Sequence, residues 1–334
     1  MKKVCIIVPI YNVSKFIERC ARSLFEQIFE NIQYVFVNDC TPDNSVEILE
    51  RVIADYPNRK EYIKIIHHDI NKGLGAARKT GILNANAEFV LNVDSDDFVE
   101  LNMVELMYNK TIEENADIVV CDFLMDWGKA TKIFPQIYSS NNVEYTKLLL
   151  SGKAMPGVVN KLIRLSLYTK NNIMPVEGIN MGEDYLITPR LAYFANKIAK
   201  VDLPLYHYVQ LNENAYTKSF SKKSVDNLIQ VLDILNIFFT NISDRELYHQ
   251  SLLEGRLNKK ILLLMQSDSR THKELVNLFP ETDSILGTAT LNIEERITIY
   301  LANKKLFLML NIFLFLCYTL IEFVQILKGR RRKF

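Results

Sequence analysis

Soft-metal ligands are scarce in this chain and wrongly spaced for a metal module. The five cysteines, Cys5, Cys20, Cys40, Cys121 and Cys317, are odd in number, form no CxxC pair and never meet the histidines at zinc-finger distances. A zinc module and a disulfide scaffold are thereby excluded, and a reducing compartment fits best. An excess of one charge is also missing. The 40 Lys and Arg nearly balance the 39 Asp and Glu, for a formal net charge of +1, so bulk composition gives no reason to expect nucleic acid. No Walker-type GxxxxGK[ST] run, no recognisable Ser/His/Asp or Cys/His set, no internal repeat and no low-complexity tract occurs. The opening MKKVCIIVPIYN carries two lysines and a short apolar run. That run stops at Pro9 without a small-residue cleavage site, so it reads as a buried strand rather than a leader.

What is present is an ordinary globular composition, 49% hydrophobic and 24% charged over 334 residues. That length exceeds what one core usually fills, which predicts a catalytic domain with a smaller appendage. Apolar β-rich runs at 4–8, 34–37, 63–66, 89–93 and 118–121 alternate with helical patterns. Continuous apolar strands are covered on both faces, hence a largely parallel α/β sheet. Ser14 is placed to cap a helix running to about residue 27, and Asp43 or Asn44 one running to about residue 56. Ligands bind such sheets at the carboxyl ends of the strands. Further on, 143–150 and the GEDYLITPRLAYFA stretch read as helical, 205–209 as a strand, and 225–239 and 247–265 as helices. The expected domains are 1–219, catalytic, with a nucleotide-binding half over 1–125 and an acceptor half over 126–219; then 220–303, helical; then 304–334, an apolar helix with a basic tail.

Four segments carry chemistry. FVLNVDSDD sets Asp94, Asp96 and Asp97 directly after a buried strand. Three anions within four residues need a compensating cation, and Mg²⁺ or Mn²⁺ prefers oxygen ligands, so a divalent metal is favoured over a solvated helix-capping turn. VFVNDCTPDNS runs from strand to turn to helix. Asp39 at the strand end is the better ligand candidate for a nucleotide base or ribose, whereas Asp43 reads as a helix cap. In NKGLGAARKTG, Arg78 stands where a dinucleotide fingerprint requires its third glycine. The run reads instead as a small-residue helix start beside a phosphate that Arg78 can meet, with a tight packing corner as the alternative. Glu183 and Asp184 open a helix, where two carboxylates can simply answer the dipole.

Taken together in this order, IVPIYN, NDCTPDNS, NKGLGAARKTGI, VDSDD and GED resemble the family-two glycosyltransferases of GT-A fold, bacterial polysaccharide-type, across about residues 1–210. The resemblance implies an α/β GT-A nucleotide-diphospho-sugar transferase fold with a mainly parallel sheet, plus a C-terminal helical region. It implies that Pro9, Tyr11, Asn12 and Asp39 hold the nucleotide, that Arg78 lies near the diphosphate, and that Asp94-Ser95-Asp96 is the DxD motif. Asp96 would then be the likelier metal ligand and Asp94 nearer the ribose. Glu183-Asp184 would be the acidic pair, with Asp184 the general base. The implied activity is metal-dependent, inverting transfer of a sugar from a nucleotide diphosphate, UDP by family expectation, to an acceptor hydroxyl that is carbohydrate or lipid-linked. Mn²⁺ or Mg²⁺ would be the cofactor. The chain departs from the common family wording at Asn38 and Lys79. His207 stands as a further metal or diphosphate contact against a structural role in its aromatic strand. A nucleotidyltransferase-like enzyme or an inactive nucleotide-sugar-binding scaffold is the alternative; the former has no need of the Glu183-Asp184 base.

The segment 306–327 is strongly apolar, with Lys304 and Lys305 before it and Lys328, Arg330, Arg331, Arg332 and Lys333 after it. A single span from a cytoplasmic catalytic half would place the basic tail outside, against the positive-inside tendency. Asn311, Tyr318, Glu322 and Gln325 cluster on one side of a helical wheel. The expectation is a helix lying in the membrane interface on anionic lipid, with the protein peripheral on the inner face of the cell membrane. A true span and a buried or oligomer-forming helix stay open as alternatives.

Overall fold

The computed structural model describes residues 1–212, 221–267 and 270–327, and of 320–327 the backbone alone. In chain order the elements are β1 (Lys2–Ile10), α1 (Ile17–Phe25), β2 (Ile32–Asn38), α2 (Ser45–Ala54), β3 (Ile63–His67), α3 (Leu74–Leu83), β4 (Ala87–Asn92), β5 (Phe98–Val99) and α4 (Met103–Glu114). There follow β6 (Ile118–Asp126), β7 (Thr131–Phe134), α5 (Asn142–Leu150), β8 (Lys161–Arg164), α6 (Leu165–Lys170), α7 (Glu183–Phe194), β9 (Ile198–Val209) and α8 (Lys222–Asn241). The last elements are α9 (His249–Gln266), α10 (His272–Leu275), α11 (Ile293–Asn303) and α12 (Phe307–Leu327).

One mixed sheet organises the first part, in the order β3-β2-β1-β4-β8-β6-β9-β5, with β7 on β6. The half β3-β2-β1-β4 is wholly parallel, as its continuous apolar runs require: Val4 to Ile10 of β1 are buried without a break. β8 is inserted antiparallel between β4 and β6, while β6 and β9 run parallel. Phe36, Phe89, Tyr34 and Tyr206 are among the largest fully buried side chains of this core, each stabilising it by about 1.5–3 kcal/mol.

Two expected caps are redistributed. α1 starts behind Phe16 without a side-chain cap, and the Ser14 amide donates instead to Asp43 Oδ2 at 2.8 Å. α2 follows Asn44, which makes no cap bond; Asp43 Oδ1 accepts from the Ser45 amide at 3.2 Å and its hydroxyl at 2.5 Å. Asp43 thus joins the turns after β1 and β2, since Thr41 also donates to it and accepts the Asn12 amide, each at about hydrogen-bond length.

The chain divides into two compact units, Met1–Tyr248 and His249–Phe334. The domain boundary expected at 219/220 therefore falls later, because α8 packs with the first unit. Tyr193 of α7 makes edge contacts with Phe238, Phe239 and Tyr248. Asn227 of α8 accepts the Asn180 amide at 3.0 Å and donates to the Gly178 carbonyl at 3.1 Å. In the second unit α12 packs on α11, with Leu310 and Leu314 buried and Leu308, Met309, Ile312, Phe315 and Leu316 exposed. Among the described residues no helix is long and apolar enough to cross a membrane. The polar stripe expected on α12 is only partly described. Asn311 is half-buried and Tyr318 donates to the Met265 carbonyl at 2.6 Å, whereas the side chains of Glu322 and Gln325 and the basic tail lie outside the described residues.

Candidate active site

The carboxyl ends of β1, β2 and β4 bring the expected residues to one edge of the sheet. Pro9 is buried in β1 opposite Val37, Tyr11 is exposed just beyond the strand, and Asn12 adopts a left-handed φ of 55°. Asn is one of the few side chains that tolerate that region. The Asp43 carboxyl is held at about 2: burial opposes its charge, but hydrogen bonds from Ser45, Thr41 and Ser14 outweigh it. Asp39 is buried and engaged. Its Oδ1 accepts from the Lys72 amide at 2.9 Å and lies 2.7 Å from His68 Nδ1, and its Oδ2 accepts from the Gly73 amide at 2.7 Å. His68 is fixed in turn by Thr80 Oγ1 at 2.8 Å. Asp39 therefore organises the turn leading into α3.

The glycines of that turn answer to packing. Gly73 has φ 87°, and a Cβ there would lie 2.2 Å from Asn180 Oδ1. At Gly75 a Cβ would lie 2.6 Å from the Val176 carbonyl oxygen, and at Gly81 it would lie 2.2 Å from Ile7 Cγ2. The segment 176–180 thus covers the start of α3, and the glycines of GLGAAR answer to packing at that corner. Arg78, by contrast, is no bystander of that corner.

Its guanidinium, 2% exposed, gathers three carboxylates from two distant parts of the chain. Nη1 donates to Glu183 Oε1 at 2.9 Å and Asp184 Oδ1 at 2.6 Å, and Nη2 donates to Asp94 Oδ1 at 2.8 Å. Where a diphosphate contact was expected of Arg78, the structure places a counter-ion joining the DxD and acidic-pair segments. α7 begins at this point because Gly182, φ 82°, turns the chain into the helix. Burial raises the Glu183 and Asp184 carboxyls above their ordinary range, and the Arg78 charge only partly offsets it. Asp184 keeps its side chain 22% exposed and receives the Val158 amide on Oδ2 at 3.2 Å.

Within the DSDD run the residues diverge. Ser95 is buried, and Asp96 Oδ2 accepts from Asn212 at 2.8 Å. Asp97 turns into the core, accepting from the Tyr206 hydroxyl at 2.6 Å and the Val209 amide at 2.7 Å, which ties this turn to β9. His207, expected as a further metal contact, is stacked on Phe98 at 4.1 Å with Nε2 2.6 Å from Glu100, a structural engagement. Among the described residues no three His, Cys, Asp or Glu side chains converge on one metal position. Asp94 and Asp96, both partly exposed at the end of β4, nevertheless fit a hard divalent ion that takes one or two protein carboxylates and completes its shell elsewhere.

Three participants had no signal in the sequence: the Val158 amide, Tyr206 and Lys161. Lys161 is fully buried, and its Nζ donates to the Met155 carbonyl at 3.0 Å, the Gly157 carbonyl at 2.5 Å and Asn160 Oδ1 at 3.0 Å.

This geometry can be set beside known proteins. The family model described as "Glycosyl transferase family 2" matches residues 5–169. EpsH of Bacillus subtilis, named as a glycosyltransferase, is 30% identical over 75% of this chain and 72% of its own length. The chain belongs to glycosyl transferase family 2. A second Bacillus subtilis relative, the glycosyltransferase EpsJ, is 33% identical over 71% of the chain and 70% of its own length. Among solved structures, residues 1–349 of Staphylococcus aureus TarS in complex with UDP-GlcNAc superpose with a TM-score of 0.74 at 18% identity, covering 99% of this chain and 93% of that one. At that identity the likeness is one of fold, and it is the GT-A fold. The matched family segment of this family 2 chain includes Asp39, Arg78, Asp94 and Asp96. It ends before Glu183 and Asp184, so the Arg78 contacts are what attach the acidic pair to the family-defining half.

Proposed function

We propose that the chain is an inverting glycosyltransferase that moves a sugar from a UDP-sugar to an acceptor hydroxyl, in cell-surface polysaccharide or glycolipid synthesis. The observation that carries this reading is the shared Arg78 guanidinium. It holds Asp94, on the donor side, and Asp184, on the acceptor side, by hydrogen bonds of 2.8 and 2.6 Å. A single displacement needs both groups at one anomeric carbon. The acceptor oxygen bonds to that carbon as the bond to the diphosphate oxygen breaks with its electron pair, and the hydroxyl proton passes to Asp184. Burial raises the Asp184 carboxyl, which suits a base that must take a proton from a weakly acidic hydroxyl. No covalent nucleophile is needed. Glu183 shares the Arg78 charge, and Pro9, Tyr11, Asn12, Asp39 and Ser95 form the nucleotide side.

Asp96 and Asp94 would hold Mn²⁺ or Mg²⁺, which supplies neutralisation of the charge developing on the diphosphate. TarS is recorded with UDP and UDP-GlcNAc, and a Pyrobaculum calidifontis mannosyltransferase, TM-score 0.55 at 13% identity, with GDP-Man and Mn²⁺. The acceptor is a carbohydrate or a lipid-linked hydroxyl. The exposed apolar face of α12 supports attachment to the inner face of the cell membrane, with the protein otherwise cytoplasmic. A screen of nucleotide sugars for hydrolysis, with Mn²⁺ and again with EDTA, tests the reading. Release of nucleotide diphosphate from one donor, abolished by EDTA, is expected; pyrophosphate release from a nucleoside triphosphate instead would favour a nucleotidyltransferase.

A further inference from the structure

Most of the glycines near the site are accounted for by the backbone or by packing. Gly73 and Gly182 need positive φ, and Gly75 and Gly81 have no room for a side chain. Gly157 has neither reason. Its φ is outside the left-handed region, and among the described residues, its chain neighbours apart, a Cβ would meet two atoms within 4 Å, Asp184 Oδ2 and Met155 Cε, both at 3.8 Å. Those are ordinary contacts. The missing methyl therefore leaves a space directly beside the outer oxygen of Asp184.

Three side chains hold the turn that frames this space. Lys161 Nζ donates to the carbonyls of Met155 and Gly157, the Thr188 hydroxyl lies 2.5 Å from the Pro156 carbonyl, and the Val158 amide donates to Asp184 Oδ2 at 3.2 Å. The same Thr188 hydroxyl lies 2.8 Å from the Asp184 carbonyl, so its one proton is shared between the turn and the backbone of the base. Met155 is 41% exposed, and its Cε borders the same space. The two oxygens of Asp184 are thus unlike. Oδ1 is taken by Arg78, whereas Oδ2 receives one amide and faces the space left by Gly157, with acceptor capacity to spare.

We propose that the Met155–Val158 turn, fixed by Lys161, is the acceptor subsite, and that Gly157 keeps clear the place where a carbohydrate or polyol hydroxyl reaches Asp184 Oδ2. The inference rests on the reading of Asp184 as the base. Gly157 is a specificity-determining position here, because a side chain there fits the fold yet occupies the acceptor's room. Water, being smaller, still enters.

The test compares nucleophiles of increasing size on the full chain. A UDP-sugar that the wild type hydrolyses is incubated with water alone, then with methanol, glycerol or glucose, and the fraction of sugar transferred to each alcohol is measured. Gly157→Ala should keep UDP affinity and melting temperature and lower the ratio of transfer to hydrolysis, measured in the same protein, by about tenfold or more for glycerol and glucose, with methanol less affected. Gly157→Val should extend the trend to methanol. Equal partition ratios in wild type and variants, including no transfer to any alcohol, overturn the proposal, as does a parallel loss of hydrolysis and transfer in a folded variant. Asp184→Asn, run alongside, separates the two ideas. Loss of both hydrolysis and transfer sustains the base; their retention removes that reading, whatever Gly157→Ala does.

Discussion

One guanidinium facing Asp94, Glu183 and Asp184 leaves the buried cluster short of positive charge, and the deficit shows in the carboxyls. Burial and the neighbouring Asp184 push the Glu183 carboxyl upward, with Arg78 opposing. A carboxyl raised on folding keeps its proton while the unfolded chain releases its own. Stability therefore falls as pH climbs from the ordinary carboxylate range, about 4.3, through the folded-state value. Glu183→Gln removes that linkage. Urea melts of wild type and variant between pH 5 and 8 should show the wild type losing stability relative to the variant as pH rises; parallel curves would mean that Glu183 is ionised throughout at no cost. Neither the Arg78 contacts nor this linkage was legible in the sequence. Arg78 and Glu183 stand far apart along the chain, and no spacing rule brings them together. The placement of Asp39, Asp94 and Asp96 at strand ends was legible from the apolar runs before them, and that of Asp184 at a helix start from the GED pattern.

The parallel half of the sheet was legible for the same reason that it is stable: β1, β2 and β4 are apolar runs with both faces covered. The short antiparallel strands were not. β8 is four residues, KLIR, and β5 only two, too short for a period to register. The start of α8 was readable, yet its allegiance to the first unit rests on Asn227 and on aromatic contacts that no local pattern encodes. Of the polar stripe expected on α12, Asn311 is half-buried and Tyr318 donates to the Met265 carbonyl. Leu310 and Leu314 are buried, and Leu308, Ile312 and Phe315 are exposed. Replacing Leu308, Ile312 and Phe315 by Asp should release the protein from phosphatidylglycerol liposomes in a sedimentation assay. Each buried apolar side chain contributes about 1.5–3 kcal/mol, so binding should fall well over tenfold while donor hydrolysis persists. Unchanged pelleting would place the membrane contact elsewhere or nowhere.

Across the first unit, sheet and helices converge on a division of labour. In the function proposed here, the ends of β1, β2 and β4 take the nucleotide and the start of α7 with the turn before β8 takes the acceptor, and Arg78 on α3 bonds to both segments. Donor binding and chemistry should then be separable. The measurement that tests this most directly sets UDP-sugar affinity, by calorimetry with Mn²⁺, beside the transfer rate of Asp184→Asn. Affinity should stay within a few fold of wild type, since Asp39, Asp94 and Asp96 are untouched, while transfer falls by about two to four orders of magnitude, the usual range for a lost general base. If Asp184 served only to satisfy the helix start, asparagine would replace it with little loss. Near-normal transfer by Asp184→Asn would contradict the account.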